Sequence, residues 1–237
     1  MLLGYYANYT QYGDKVVEYL STLKGITFSA GVELHLRGDA LRKARRAVGK
    51  LGWRSFCAEG LPRQGAGTRG GCWTLVRKEA AAGGFGGLGR SDLQWSACSV
   101  RRGGIDLILV TVYFFDGLGC TGDNLDLMEE VGVFLRGRRG PFLIIGDFNI
   151  EPDMLEEHGW PQWLGAAVVR PPVPFTCTSG QCRVLDYALV SCALANHVVL
   201  LPDFCWALDA PHRVVGAGGH ARTEHYGDYS PTSRSAA

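Results

Sequence analysis

Phe142-Leu143-Ile144-Ile145-Gly146-Asp147-Phe148-Asn149-Ile150-Glu151-Pro152 is the stretch that decides the fold. Its four apolar residues, bounded by Pro141 and Gly146, read as a buried strand covered on both faces. The run stops abruptly at Gly-Asp-Phe-Asn. If the chain stays extended there, alternation sends the Asp147 and Asn149 side chains to one side and turns Phe148 back into the protein. A carboxylate and a carboxamide so placed can orient or deprotonate a water and stabilise charge developing on an oxygen. The same residues also read as a strand followed by an Asx-type turn. The rest of the chain weighs between the two.

Upstream, Leu2 to Ala7 is a short strand ending at Asn8, and Asp14 opens a helical pattern with Val16, Val17, Leu20 and Leu23 on one face. Ile26 to Leu36 reads as a second strand carrying Glu33 and His35 on the same side. Asp39 is placed to cap a helix from Ala40 to Leu51. Leu41, Ala44, Val48 and Leu51 form its apolar stripe, and Arg42, Lys43, Arg45, Arg46 and Lys50 cover its other faces. That basic face is either a solvated surface or a phosphate track. After the Gly-rich segment Gly60–Gly71 comes a strand at Cys72–Val76, then a low-complexity connection from Ala80 to Gly89. Trp95–Val100 and Ile105–Tyr113 read as a hairpin turning at Arg101-Arg102-Gly103-Gly104. Asn124 is placed to cap a helix with Leu127, Met128, Val131 and Leu135 inward.

Downstream of Pro152, a loop with Trp160 and Trp163 leads to Thr176 and the strand-like run Arg183–Val190. Val198–Leu201 and Phe204–Leu208 are further strand candidates, and Asp209-Ala210-Pro211-His212 ends the patterned region. These elements predict one α/β domain over residues 1–215. Residues 216–237, rich in Gly, Ser and His and without periodicity, read as a disordered tail.

Composition bounds the function. With 237 residues, 46% of them hydrophobic, the chain can build one large core. A formal net charge of +1 gives no global attraction to nucleic acid, so any polyanion must be held by local patches. The eight Cys form no CxxC pair, which argues against a zinc site. No signal-like start and no long apolar run are present, so the expectation is a soluble intracellular protein, monomeric, with no membrane partner.

Several predicted strands end in polar residues: Asn8, Glu33, Tyr113, Asp147 with Asn149, Asp186 and His212. Such a series suggests strand ends meeting at one rim. It resembles the endonuclease/exonuclease/phosphatase superfamily of metal-dependent phosphodiesterases, which includes apurinic endonucleases, pancreatic-type deoxyribonuclease and retroelement endonucleases. Gly146-Asp147-Phe148-Asn149 carries the resemblance most specifically and Leu185-Asp186-Tyr187 next, and it extends from about Leu2 to Val215. The resemblance implies a four-layer α/β sandwich of two packed β-sheets flanked by helices. It implies that Glu33 holds Mg²⁺ (with Mn²⁺ as the alternative), helped by Asn8. Asp147 would position or deprotonate the attacking water, and Asn149 would stabilise charge on the phosphorane. Tyr113 would hydrogen-bond a phosphate oxygen, and His212, oriented by Asp186, would contact the phosphate or share the proton work. The implied substrate is a nucleic-acid phosphodiester. A small phosphoester or phosphoinositide is the alternative, and a silent relic that binds nucleic acid or a protein partner is the rival. One departure stands out: the family's closing Ser-Asp-His is Ala210-Pro211-His212 here.

Overall fold

The computed structural model describes residues 2–9, 12–63, 67–85, 92–102, 104–138, 140–177, 182–198, 200–203 and 214–217. In chain order the strands are β1 (Gly4–Asn8), β2 (Phe28–Val32), β3 (Trp53–Ala58), β4 (Leu61–Pro62), β5 (Thr68–Arg69), β6 (Cys72–Arg77) and β7 (Ala81–Gly84). Next come β8 (Trp95–Arg102), β9 (Ile105–Tyr113), β10 (Phe142–Asp147), β11 (Ala166–Val169), β12 (Asp186–Ser191), β13 (Leu200–Asp203) and β14 (Val214–Ala217). The α-helices are α1 (Asp14–Thr22), α2 (Gly38–Lys50), α3 (Asp123–Arg136), α4 (Pro152–His158) and α5 (Trp160–Leu164).

One sheet has the order β13-β14-β1-β2-β6-β3 and the other β11-β12-β10-β9-β8-β7. β10 is apolar without a break because both of its faces are buried. Leu143 and Ile145 enter a core shared with the other sheet through Tyr6, Ala30 and Val32. Phe142 and Ile144 point the opposite way, into a core closed by Leu127 and Val131 of α3, Leu155 of α4 and Trp160 of α5. Helices α1 and α2 cover the outer face of the first sheet through Val16, Leu20 and Val48. The result is the expected four layers: helices, sheet, sheet, helices. Gly146 is required in β10, because a Cβ there would lie 1.9 Å from the Val112 carbonyl oxygen.

Local readings needed correction where side-chain partners outweigh pattern. Ala81–Gly84 is not a loose connection but the edge strand β7, paired antiparallel with β8. Its alternation is invisible because Ala and Gly carry almost no side chain. The segment after Pro152 is helical, with Pro152 and Pro161 in the first turns of α4 and α5, where a missing N–H costs nothing. The second strand stops at Val32, and both Glu33 and His35 lie beyond it with φ near +54°. Asp39 sits inside the first turn of α2, bonded to Arg42, and the capping position is Arg37. Asn124 likewise lies inside α3. Its buried carboxamide accepts from Phe115 N–H (2.7 Å) and donates to the Phe115 and Gly119 carbonyls, tying the helix to the chain leaving β9.

The closing strand is longer than its Gly content suggests. β14 runs through Gly216 and Ala217 and lies between β13 and β1, so pairing reaches beyond residue 215. Phe204–Leu208, Asp209, Pro211, His212 and residues 218–237 lie outside the described residues.

Candidate active site

Strand parity carries the site residues inward. On β10, Asp147 follows Leu143 and Ile145 onto the face that meets the other sheet; on β9, Tyr113 joins that core with Leu109. Asp186 takes the same side of β12 as Ala188 and Val190, and Asn8 the same side of β1 as Tyr6. Register then aligns them. Asp147 pairs with Tyr113 on one side and Asp186 on the other, and Asn8 pairs with Val32, the residue before Glu33. The inter-sheet core therefore ends in one polar row from each sheet.

Three hydrogen bonds join those rows across the sandwich. Tyr6 Oη donates to Asp186 Oδ1 at 2.6 Å, Asn8 Nδ2 donates to Asp147 Oδ2 at 3.2 Å, and Tyr113 Oη donates to Glu33 Oε1 at 2.9 Å. Asp147 and Asp186 are 1% and 0% exposed, so these bonds act where a carboxylate has little water to turn to. Burial raises the Tyr6 hydroxyl far above its ordinary pKa, with Asp186 and then Asp147 adding to the shift. Burial also raises Tyr113, helped by Glu33 and Asp147. Both phenols remain neutral donors at neutral pH.

At Gly-Asp-Phe-Asn the chain does turn. Asn149 has φ +47°, and its N–H donates to Asp147 Oδ1 at 3.0 Å, an Asx turn that replaces simple alternation. Asn149 Nδ2 donates to the Phe114 carbonyl at 2.8 Å. Phe148 is buried as expected and stacks on Tyr187, ring centroids 4.1 Å apart. The turn is what fixes the Asp147 carboxylate beside the Asn149 carboxamide.

Glu33 is placed by a pinned loop. Leu34 and His35 donate to the carbonyls of Gly71 (3.2 Å) and Gly70 (2.8 Å), and Gly70 has φ +64°. The buried Gln94 accepts from Gly71 N–H and donates to the Glu59 carbonyl, holding the same loop. Nearby, the Arg69 guanidinium lies 4.7 Å over the Phe115 ring, two residues beyond Tyr113.

Asn8, Glu33, Tyr113, Asp147, Asn149 and Asp186 are thus brought together, whereas His212 lies outside the described residues. Tyr6, Gln94, Arg69 and Thr176 are additions. Thr176 Oγ1 accepts from the N–H groups of Leu185 and Asp186, each at 2.9 Å, and so fixes the start of β12. Tyr6 was legible as the residue two before Asn8 on the same strand face; Gln94, Arg69 and Thr176 had no such signal.

The donors fit a hard cation. They are carboxylate and carboxamide oxygens, the set that suits Mg²⁺ or Mn²⁺. No group of three His, Cys, Asp or Glu gathers anywhere among the described residues, so such an ion would keep much of its water, as Mg²⁺ does. Thiolate chemistry is disfavoured at three buried or half-buried cysteines. Burial pushes Cys72 and Cys98 up to about 12 and Cys57 up to about 11, which leaves them protonated.

Two packed sheets flanked by helices, with a polar rim at their strand ends, define a layered α/β sandwich. Residues 27–207 match the Endonuclease/Exonuclease/phosphatase family. The chain belongs to that family, whose nucleases and phosphatases share the hydrolysis of phosphoesters. No curated protein matches the sequence. Among solved structures it is similar to a 3′-5′ exonuclease (NExo) from Neisseria meningitidis, at 19% identity and TM-score 0.67, covering 92% of this chain and 99% of that one. It is similar to the AP endonuclease LMAP from Leishmania major at 14% identity and TM-score 0.72, covering 93% and 88%. It is also similar to the endonuclease domain of TRAS1, a telomere-specific non-LTR retrotransposon, at 13% identity and TM-score 0.66, covering 91% and 96%.

Proposed function

We propose that the protein is a Mg²⁺-dependent phosphodiesterase that hydrolyses the nucleic-acid backbone. The observation that carries this reading is the trio of inter-sheet hydrogen bonds, Tyr6–Asp186, Asn8–Asp147 and Tyr113–Glu33, each of which fixes one carboxylate along the rim. Glu33 and Asn8 would hold the ion, with Mn²⁺ as a substitute. When bound, the ion supplies positive charge against an anionic phosphoester that otherwise repels its nucleophile.

The chain's own residues do the rest. Asp147, held by Asn8 and by the Asn149 N–H, orients a water and takes its proton. The water oxygen bonds to phosphorus in line, the bond from phosphorus to the leaving oxygen breaks, and that oxygen takes a proton supplied by His212. Asp186, positioned by Tyr6 and Thr176, orients His212. Asn149 has one N–H engaged by Phe114, and its second is the donor for charge growing on a phosphate oxygen. Tyr113 carries a single hydroxyl hydrogen, so donation to a phosphate oxygen requires it to let go of Glu33.

The test is nicking of supercoiled plasmid with Mg²⁺ and with chelator, wild type against Asp147→Asn, alongside release of phosphate from a 3′-phosphorylated duplex. Metal-dependent nicking that Asp147→Asn abolishes, with an unchanged circular dichroism spectrum, supports the reading. Phosphate release without nicking would reassign the protein to the phosphatases of its family. Inactivity on every substrate, with duplex still bound, would make it a relic.

A further inference from the structure

Two clefts open on the side of the sandwich where the edge strands β3 and β7 of the two sheets come together. The first, about 600 Å³, is lined by Arg42, Arg45 and Arg46 of α2, by Arg54 of β3, and by Ala82 and Gly84 of β7, and no acidic residue lines it among the described residues. The second, about 510 Å³, shares Arg54 and Ala82 and continues past β7 to Arg101 and Arg138. Its one acidic residue among those described, Asp106, is already engaged in a two-point bond with Arg101 (2.8 and 2.6 Å).

Three of the four arginines of the first cleft are held in place. Arg45 Nε donates to Ser55 Oγ at 3.2 Å and Arg54 Nη1 to the Ala82 carbonyl at 2.9 Å, bridging the two sheets. Arg42 is tied to Asp39 on its own helix, and Arg46 makes no ion pair or hydrogen bond among the described residues. A guanidinium carries five donors, so one anchoring bond leaves most of them for a ligand. Positions 42, 45 and 46 fall on one helix face, and burial of Leu41, Ala44 and Val48 turns that face outward. The Ala-Ala-Gly-Gly of β7 puts no bulk between the clefts, which allows a ligand backbone to come close.

This place is far from the active rim. Trp53 pairs with Arg77 and Arg101 with Asp106 at the end of the sheets opposite Tyr113. Along β9, Asp106 to Tyr113 is about 23 Å at the rise of an extended strand. None of the large apolar side chains exposed among the described residues (Ile105, Leu118, Val133, Met154 and Trp163) lines either cleft, which argues against a bilayer surface.

We infer that the α2–β3–β7 arginine clefts are a second anion-binding site, which takes the phosphates of a nucleic-acid strand outside the segment held at the active rim. The choice of nucleic acid over another polyanion rests on the proposed function; the anion site itself does not.

The experiment is binding of a labelled 30-base-pair duplex by fluorescence anisotropy, in chelator, from 50 to 200 mM salt. Replacing Arg42, Arg45 and Arg46 together with Gln removes three phosphate contacts. The slope of log affinity against log salt should become shallower by about 2.7, so affinity lost over that salt range should be about 40-fold smaller than in wild type. The matching triple Lys variant should keep most of the slope. Arg46→Gln alone should reduce it by about 0.9, a readout that survives if the triple variant folds poorly. An unchanged slope in the Gln variants overturns the inference. So does loss of binding to phosphatidylserine vesicles with duplex binding intact, since the site would then take a lipid headgroup. Because chelator stops hydrolysis, a shallower slope in a protein that never cleaves supports the site while the function reading fails by itself.

Discussion

The Tyr6 hydroxyl donates a 2.6 Å hydrogen bond to Asp186 across a sequence separation of 180 residues, joining the middle of β1 to the first residue of β12. Both partners are fully buried. Tyr6→Phe keeps the ring and its packing but withdraws a donor from a buried carboxylate. The expected cost is about 1.5–3 kcal/mol, the range for a hydrogen bond to a charged group. Urea unfolding measures it. A midpoint unchanged from wild type would show that Asp186 is satisfied without Tyr6.

Alkaline stability depends on the same buried phenols. Tyr6, Tyr113 and Tyr187 have folded-state pKa values raised above the ordinary 10, chiefly by burial. Their contribution is complete below pH 10, where both states keep the proton. Above it the unfolded chain binds fewer protons than the folded one, so stability falls as pH climbs towards the raised values. Cys57, Cys72 and Cys98, raised from 9, start the decline about one unit earlier. Unfolding midpoints from pH 8 to 11 should fall from about pH 9 onwards, and less steeply in Tyr6→Phe. A flat profile through pH 11 would contradict the shifts.

Tyr113 supports Glu33 through a single bond, so Tyr113→Phe should weaken Mn²⁺ binding measured by calorimetry. An outer partner of a metal ligand is typically worth about 10- to 100-fold in affinity. Glu33→Gln, which removes the charge itself, should lose more. Equal Mn²⁺ affinity in wild type and both variants would remove Glu33 as a ligand.

How much of this was readable in the sequence depends on what fixes each residue. The buried strand at Phe142–Asp147 was legible because its two faces meet two cores, and both demand apolar side chains. Asp147, Tyr113 and Asp186 were legible as polar ends of apolar runs. Glu33 was located but its backbone was not: the strand stops at Val32, and hydrogen bonds from Leu34 and His35 to Gly71 and Gly70 set the path of the chain beyond it. Gln94 and Thr176 left no trace, because each acts on backbone groups distant in sequence. β7 was missed for want of side chains.

The end of the domain is testable by truncation. β14 pairs Tyr6 with Val215, Tyr5 with Gly216 and Gly4 with Ala217, and it separates β13 from β1. A chain ending at Ala217 keeps those ladders and should melt within about 2 °C of the full chain, the equivalent of under about 1 kcal/mol at this size. A chain ending at Arg213 uncovers the edge of β1 and should melt about 10 °C lower, for a loss of about 3 kcal/mol or more. Equal melting of the two truncations would mean that β14 adds nothing to the sheet.

Pro211 decides between a working enzyme and a relic. The family resemblance places an Asp immediately before the closing His, and this chain has Ala210-Pro211-His212. Among the described residues, bonds from Tyr113, Asn8 and Tyr6 hold Glu33, Asp147 and Asp186, three of the residues proposed for the site. If those residues suffice for slow hydrolysis, Pro211→Asp should accelerate it. The substitution restores a carboxylate beside His212 and releases the fixed φ that proline imposes. Recovery of one transition-state interaction is worth on the order of 10²- to 10³-fold, by comparison with removal of a single oxyanion donor. Single-turnover nicking of a labelled duplex at saturating Mg²⁺ gives the rate constants directly. A variant no faster than an active wild type would show that this site is built around Pro-His. Two inactive proteins would place the lesion elsewhere, and Mn²⁺ titration of both would then say whether Glu33 still holds an ion.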